Sequence, residues 1–244
     1  MHNTTVSRRQ ALKGIGGSAA LVSLSGCSAL PGGGSEFESQ METLRTQYQK
    51  YDNNIEAALS DGYTAILGPM VPGMGWHLIN REEGQRQIEE GFDPETPNGL
   101  LYDNERNLGG VEWSFPAESV GTPDIFADDN VDAQERWKVH EAASHVYANG
   151  NGEQTNREDL TVDDMFKNQN WAEFLPARRD LEAGQTLDTA WGRLIQDQSQ
   201  LEDTEERVID FVTHHPDLLN LIAWVFAENE NGMMAETHPE FAQL

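Results

Sequence analysis

The stretch Leu100-Leu101-Tyr102-Asp103-Asn104-Glu105-Arg106-Asn107-Leu108-Gly109-Gly110-Val111-Glu112-Trp113-Ser114-Phe115 decides the fold class. Two apolar runs, 100–102 and 110–115, flank a polar, turn-forming segment, the pattern of a β-hairpin with a longer loop. Upstream, Gly75-Trp76-His77-Leu78-Ile79-Asn80 reads as a further strand, fed by the Pro- and Gly-rich segment Met70-Val71-Pro72-Gly73-Met74. Tyr63 to Leu67 reads as a short strand, and Leu218 to Phe226, dense in branched and aromatic residues, as a buried one. Helical spacing runs from Glu36 to Leu59, where Met41, Leu44, Tyr48, Tyr51, Ile55 and Leu59 recur three or four apart. Further helices are expected at Val131–Tyr147 (stripe Val139, Ala142, Ala143, Val146, Tyr147), at Leu187–Leu201 and at Glu205–Thr213. Residues 81–99 read as loop or short helix, and 153–185 as a polar surface insertion. This order predicts an α+β fold, a small, mostly antiparallel sheet with packed helices, in a single domain spanning 36–244.

The chain has 244 residues, 37% of them hydrophobic, enough to bury a sizeable core. Its 16 Lys and Arg against 42 Asp and Glu give a net charge of -26. A polyanion of this size is repelled by phosphate backbones, which argues against a nucleic-acid partner. The single cysteine excludes an intrachain disulfide framework and any multi-cysteine metal site. Only 4 of the 16 basic residues are Lys. Such Lys-poor, acid-rich composition resembles that of proteins from halophilic archaea. In molar salt the Debye length falls to about 3 Å and the self-repulsion is screened.

The N-terminus reads as an address. Arg8-Arg9 precedes a short, mildly apolar run from Gly14 to Leu24, too short to span a bilayer core. The pattern resembles a twin-arginine export signal, which implies passage of the folded chain through the twin-arginine translocase. Leu24-Ser25-Gly26-Cys27 follows and resembles a lipobox, in which the Cys27 thiol takes a lipid. The resemblance implies a signal peptide over 1–26 and a lipidated Cys27 opening a Gly/Ser tether over 27–35. The mature protein is then anchored to the membrane through the lipid, on the outer face of the cytoplasmic membrane. Removing 1–26 takes away three basic residues and no acid, so 13 basic against 42 acidic residues leave a net charge of -29.

Two places could carry chemistry. In His140-Glu141-Ala142-Ala143-Ser144-His145, the histidines are five apart, about 140° around a helix, which is wrong for a zinc-protease helix. One of them could still face a site. On strands, His77 and Ile79 share one face while Trp76 and Leu78 share the other, and Glu112 opposes Val111, Trp113 and Phe115. A glutamate on an apolar strand is costly to bury unless it is paired or bound to a metal. His77 and Glu112 are therefore the leading ligand-binding candidates, at the Pro72-Gly73-Met74-Gly75 loop, with Trp76, Trp113 and Trp224 as apolar walls. His77, Glu112 and His140 are candidates for a divalent metal, with His145 and His238 behind them. His214-His215-Pro216 reads as a helix end. Glycine-rich phosphate loops, dinucleotide fingerprints and Ser/His/Asp orders are absent from the sequence.

The Gly-Met-Gly-Trp-His loop, the Val-Glu-Trp strand and the segment from Leu218 to Phe241 resemble a poorly characterised group of exported bacterial and archaeal proteins. The resemblance covers about residues 55–115 and 218–241, and it implies no established activity. Where that group has Leu-His-x-Trp, this chain has Leu221-Ile222-Ala223-Trp224, so Ile222 stands in the histidine position, and Glu230 replaces a proline. Two function classes follow. The first is an extracytoplasmic, membrane-anchored ligand-binding or interaction module; the second is a metal-dependent enzyme using His77 and Glu112.

Overall fold

Helix α1 (Glu36–Tyr48) buries Met41, Leu44 and Tyr48, and a 3-10 turn (Gln49–Tyr51) adds Tyr51 to the same side. The expected single helix is broken there. Asn53 takes a left-handed conformation (φ 52), which asparagine tolerates better than most residues. Asn54 then caps a new helix, α2 (Ile55–Ser60), its side chain accepting from the Ala57 amide at 3.3 Å. The computed structural model describes residues 36–66, 71, 73–123, 135–149, 152–167, 170–187 and 207–242. The signal-peptide, lipidation and tether readings (Arg8, Arg9, Cys27, residues 27–35) lie outside the described residues, as do Met70 and Pro72 of the glycine-rich loop.

The main sheet contains β1 (Ala65–Ile66), β2 (Trp76–Ile79), β3 (Gly99–Tyr102), β4 (Leu108–Pro116), β5 (Lys138–His140) and β11 (Leu218–Ala223). Its spatial order is β1-β2-β3-β4-β11-β5, with every neighbouring pair antiparallel. β3 and β4 form the hairpin read from the sequence. Asp103 organises its loop by accepting from the amides of Glu105 and Asn107, both at 2.8 Å. Helix α3 (Arg81–Glu90) follows β2, capped by Asn80 at 3.0 Å from the Glu83 amide.

Alternation then divides the sheet. One face carries Trp76, Leu78, Leu100, Tyr102, Val111, Trp113, Phe115, Leu219 and Leu221, which pack against Met41, Leu44, Ile55 and Ala58 of the helices in one core. The opposite face carries His77, Gly99, Glu112, Ser114 and Asn220. The α+β architecture is as expected from the sequence, and all described residues belong to one compact unit, Gly34–Leu244.

A second, three-stranded antiparallel sheet has the order β10-β6-β7, from β10 (Phe211–His215), β6 (Ala143–Tyr147) and β7 (Trp171–Phe174). Between β6 and β7 comes a one-turn helix, α4 (Val162–Met165), closed by a Thr161/Asp164 capping box. Val146, Ala148, Ala172 and Phe174 join Leu181, Leu187 and Ile209 in a second apolar cluster. Strands β8 (Thr186–Leu187) and β9 (Arg207–Val208) pair antiparallel beside it.

This second sheet corrects several expectations. Val131–Tyr147 is not a helix: its described part forms β5 and β6. β6 is paired on both sides and buried at all five residues, so it shows no two-residue alternation, and its apolar positions matched helical spacing by coincidence. Glu205–Thr213 likewise contains β9 and the start of β10, where Phe211, Thr213 and His215 are buried and Val212 and His214 less so. Of Leu187–Leu201 only Leu187 is described, in β8. The supposed insertion 153–185 supplies β7, whose Trp171 and Phe174 are core residues. His215 closes a strand, not a helix.

Candidate functional site

The site lies where the polar face of the main sheet meets one face of the second sheet. From the main sheet come His77 on β2, Glu112 on β4, His140 on β5 and Leu218 and Asn220 on β11; from the second come His145, Glu173 and His215 on β6, β7 and β10. Val71 and Met74 of the glycine-rich loop, with Leu175, add apolar wall. The register explains the convergence: His145 pairs directly with Glu173 on one side and Thr213 on the other, so their side chains share a face with His215. The cavity between them measures about 130 Å³, well below the 300–1,000 Å³ typical of pockets for drug-sized molecules.

His77 Nδ1 lies 2.9 Å from Glu112 Oε2, and Glu112 is fully buried. A carboxylate only accepts, so the imidazole donates from Nδ1 and a neutral ring turns a bare lone pair outward on Nε2. Gly99, opposite Glu112 across the hairpin, makes room for the carboxylate: a Cβ there would stand 2.9 Å from Glu112 Cβ and 3.0 Å from Oε2. The second sheet repeats the device. His145 Nε2 donates to Glu173 Oε1 at 3.1 Å, and the His215 ring packs edge-on to His145 at 5.1 Å. His215 Nδ1 donates to the Pro216 carbonyl at 2.7 Å, and burial holds its imidazole below the ordinary histidine value, against the raising effect of that bond.

Four buried polar atoms of the lining have no hydrogen-bond partner: His77 Nε2, Glu112 Oε1, His140 Nε2 and His145 Nδ1. His140 Nε2 has Glu236 Oε1 at 3.8 Å, an ion-pair distance but too long for a hydrogen bond. Buried polar groups are almost always paired, so four orphan atoms on residues that line one cavity single out this part of the interior. A neighbouring cavity of about 240 Å³ shares His215 and Leu218. Its Asn98 and Ser114 are already satisfied: the Asn98 side chain donates to the Ser114 carbonyl and accepts from the Ser114 amide, and Ser114 Oγ donates to Asn220 Oδ1 at 2.8 Å. The His/Glu cavity is the unsatisfied one.

The lining of that cavity includes no hydroxyl, thiol, Lys or Arg among the described residues. Its polar groups are carboxylates, imidazoles and one amide, which suit acid–base chemistry and cation binding. Among the described residues no group of three His, Cys, Asp or Glu side chains is gathered as closely as a bound metal ion requires.

The sequence candidates divide. His77, Glu112, His140 and His145 come together. Trp76 and Trp113 do not wall the cavity: they point from the opposite face into the helix-covered core, where Trp76 Nε1 donates to Asn104 Oδ1 and Trp113 Nε1 to the Asp93 carbonyl. The reason is the strand alternation that places His77 and Glu112 on the other side. Trp224 packs with His238 and Phe241, and His238 has both ring nitrogens engaged, by the Glu228 carbonyl and the Glu240 amide. His238 is a structural residue that fastens the closing segment to the glycine-rich loop through its amide and the Gly73 carbonyl. The helical argument against the His140/His145 pair also falls, because the two sit on strands of different sheets. Glu173 and His215 escaped the sequence reading; the alternation Phe211, Thr213, His215 was the available signal for the latter.

No helix among the described residues is long and apolar enough to cross a membrane. Comparison with family models, with curated proteins and with solved structures finds no match to this chain.

Proposed function

We propose that this protein is a binding protein of the cell surface that captures a small ligand in the His77/Glu112 cavity. In this reading, the chain crosses the cytoplasmic membrane through the twin-arginine translocase and stays on its outer face through a lipid on Cys27, in a salt-rich environment. Support for the location comes from the ordered series Arg8-Arg9, apolar run, Cys27 and glycine tether. Support for binding comes from one observation above all, the four unpartnered buried atoms on residues that line one cavity. Leaving a buried polar atom unpaired costs about 1–3 kcal/mol, and a ligand that satisfies several at once recovers much of that.

The test is a panel of probes (zinc, magnesium and calcium chlorides, ammonium, guanidinium, formate and phosphate) read by thermal shift in molar KCl. The reading expects at least one probe to raise the melting temperature saturably in the wild type and not in His77→Gln or Glu112→Gln. No shift with any probe, or the same shift in all three proteins, would overturn it. The enzymatic alternative draws on the two histidine–carboxylate pairs, His77–Glu112 and His145–Glu173, which face one cavity as acid–base pairs do. Turnover of any hydrolysable substrate that is lost in Glu112→Gln would favour it.

A further inference from the structure

We infer that the cavity beside the His/Glu site binds a small organic anion, a carboxylate carried on an apolar body, with Arg81 and His214 holding the charge. This is a second site, independent of the binding role proposed above. The cavity measures about 240 Å³, below the range of pockets for drug-sized molecules and suited to a short acid. Ile79, Ile88, Phe115 and Leu218 give it apolar walls. Its Asn98 and Ser114 are spent on each other and on Asn220, so they offer a ligand little. Arg81 is exposed and His214 half-buried, so these two belong to the open side of the lining. A cavity that is apolar within and cationic at its opening takes an amphipathic anion, body first.

The positive charge at that opening is uncompensated. In a chain with 42 acidic residues, Arg45, Arg86, Arg106 and Arg178 each stand within ion-pair distance of a carboxylate. Arg81, Arg157 and Arg179 form no such pair among the described residues. Instead they bear on one another and on the histidine. Partial burial, then the Arg81 charge, holds the Arg157 guanidinium below its ordinary value. Burial, then the Arg179 charge, does the same for His214. Arg157 and Arg179 are not part of the lining, and they add their charge from further off. Cations gathered in this way, with no carboxylate between them, attract an anion. A guanidinium also matches a carboxylate in shape, two parallel N–H donors meeting two oxygens. His214 Nδ1 is tied to Ser144 Oγ at 2.8 Å, which fixes the ring and leaves Nε2 to meet the ligand. The apolar walls then favour an acid with a hydrocarbon body over an inorganic anion.

The experiment uses the full-length chain, purified in detergent and held in molar KCl to suppress loose attraction between exposed charges. Three probes of one shape are titrated calorimetrically: benzoate, benzyl alcohol and benzylammonium. We expect saturable binding of benzoate, binding of the alcohol weaker by about tenfold or more, and none of the ammonium. Arg81→Gln should weaken benzoate by about tenfold or more while leaving benzyl alcohol unchanged, a split that damage to the fold would not produce. Methyl NMR locates the probe without a variant: the benzoate ring current should shift the Ile79 and Ile88 methyl signals. Benzoate bound no more tightly than benzyl alcohol, or equally well by Arg81→Gln, would overturn the inference. So would methyl shifts confined to other residues, or no binding of benzoate. None of these results bears on the His77/Glu112 cavity, whose own probes and variants decide its role separately.

Discussion

Glu112 sits directly across the hairpin from Gly99, in a gap that a single methyl group would close: a Cβ on residue 99 would come within 2.9 Å of Glu112 Cβ and 3.0 Å of Oε2. The glycine therefore sets where the carboxylate stands, and with it the His77 ring that the carboxylate holds. Gly99→Ala is expected to destabilise the fold by about 1–3 kcal/mol, the usual cost of overpacking. Chemical denaturation measures this. A variant as stable as the wild type would show that Glu112 has other room.

Trp113 is fully buried and belongs to the core on the helix-covered face. Trp113→Ala should cost about 3–5 kcal/mol, as truncation of a buried aromatic does. The milder Trp113→Phe should lower the melting temperature while leaving capture of a ligand in the His77/Glu112 cavity as in the wild type. A Trp113→Phe protein that folds normally but loses the ligand would put this side chain back at the site.

How far the sequence could be read follows from burial. The hairpin, β2 and β11 were legible because polar turns punctuate them, and because Glu112 and His77 are polar interruptions on strands that are otherwise apolar. That contrast located half of the site. The other half was hidden by β6, which is buried on both faces and so lost its alternation, and whose apolar residues happened to fall at helical spacing. With β6 read as a helix, His140 and His145 pointed 140° apart, and Glu173 and His215 had no reason to be near them. The tryptophans misled in the opposite sense: aromatic neighbours of a histidine in sequence stand on the other face of a strand.

All five tyrosines are held above their ordinary value near 10, with burial the first cause in each; Tyr48 is pushed up to about 12. A phenol whose folded-state value is raised contributes stability that is fully present below about pH 10 and is lost as the pH rises through the folded-state values. Stability should therefore fall on the alkaline side from about pH 10. Phenolate absorbance should appear together with loss of far-ultraviolet circular dichroism. Early, reversible ionisation of all five tyrosines in the folded protein would contradict this.

Salt should act in the opposite sense to its effect on a protein held by surface ion pairs. With 16 basic against 42 acidic residues, repulsion dominates, and its screening should raise the melting temperature between dilute buffer and molar KCl. A melting temperature that does not respond to salt over that range would remove the case for salt adaptation.

The anchor is tested by Cys27→Ser. The substitution should move the exported protein from the membrane fraction to the medium, because a single lipid-bearing thiol is proposed to hold it there. Unchanged fractionation would mean that Cys27 is not the attachment point.

The most direct measurement is nitrogen-15 NMR of the imidazoles in the uniformly labelled protein, before and during titration with a probe that raises its melting temperature. The account predicts that His77 carries its proton on Nδ1 and His145 on Nε2, as Glu112 and Glu173 require. The probe should then shift His77 Nε2 and His145 Nδ1 together, while His238, with both nitrogens already engaged, stays in place. Opposite tautomers at His77 and His145, or probe-induced shifts confined to other histidines, would contradict the claim that these two rings offer their free nitrogens to a common ligand.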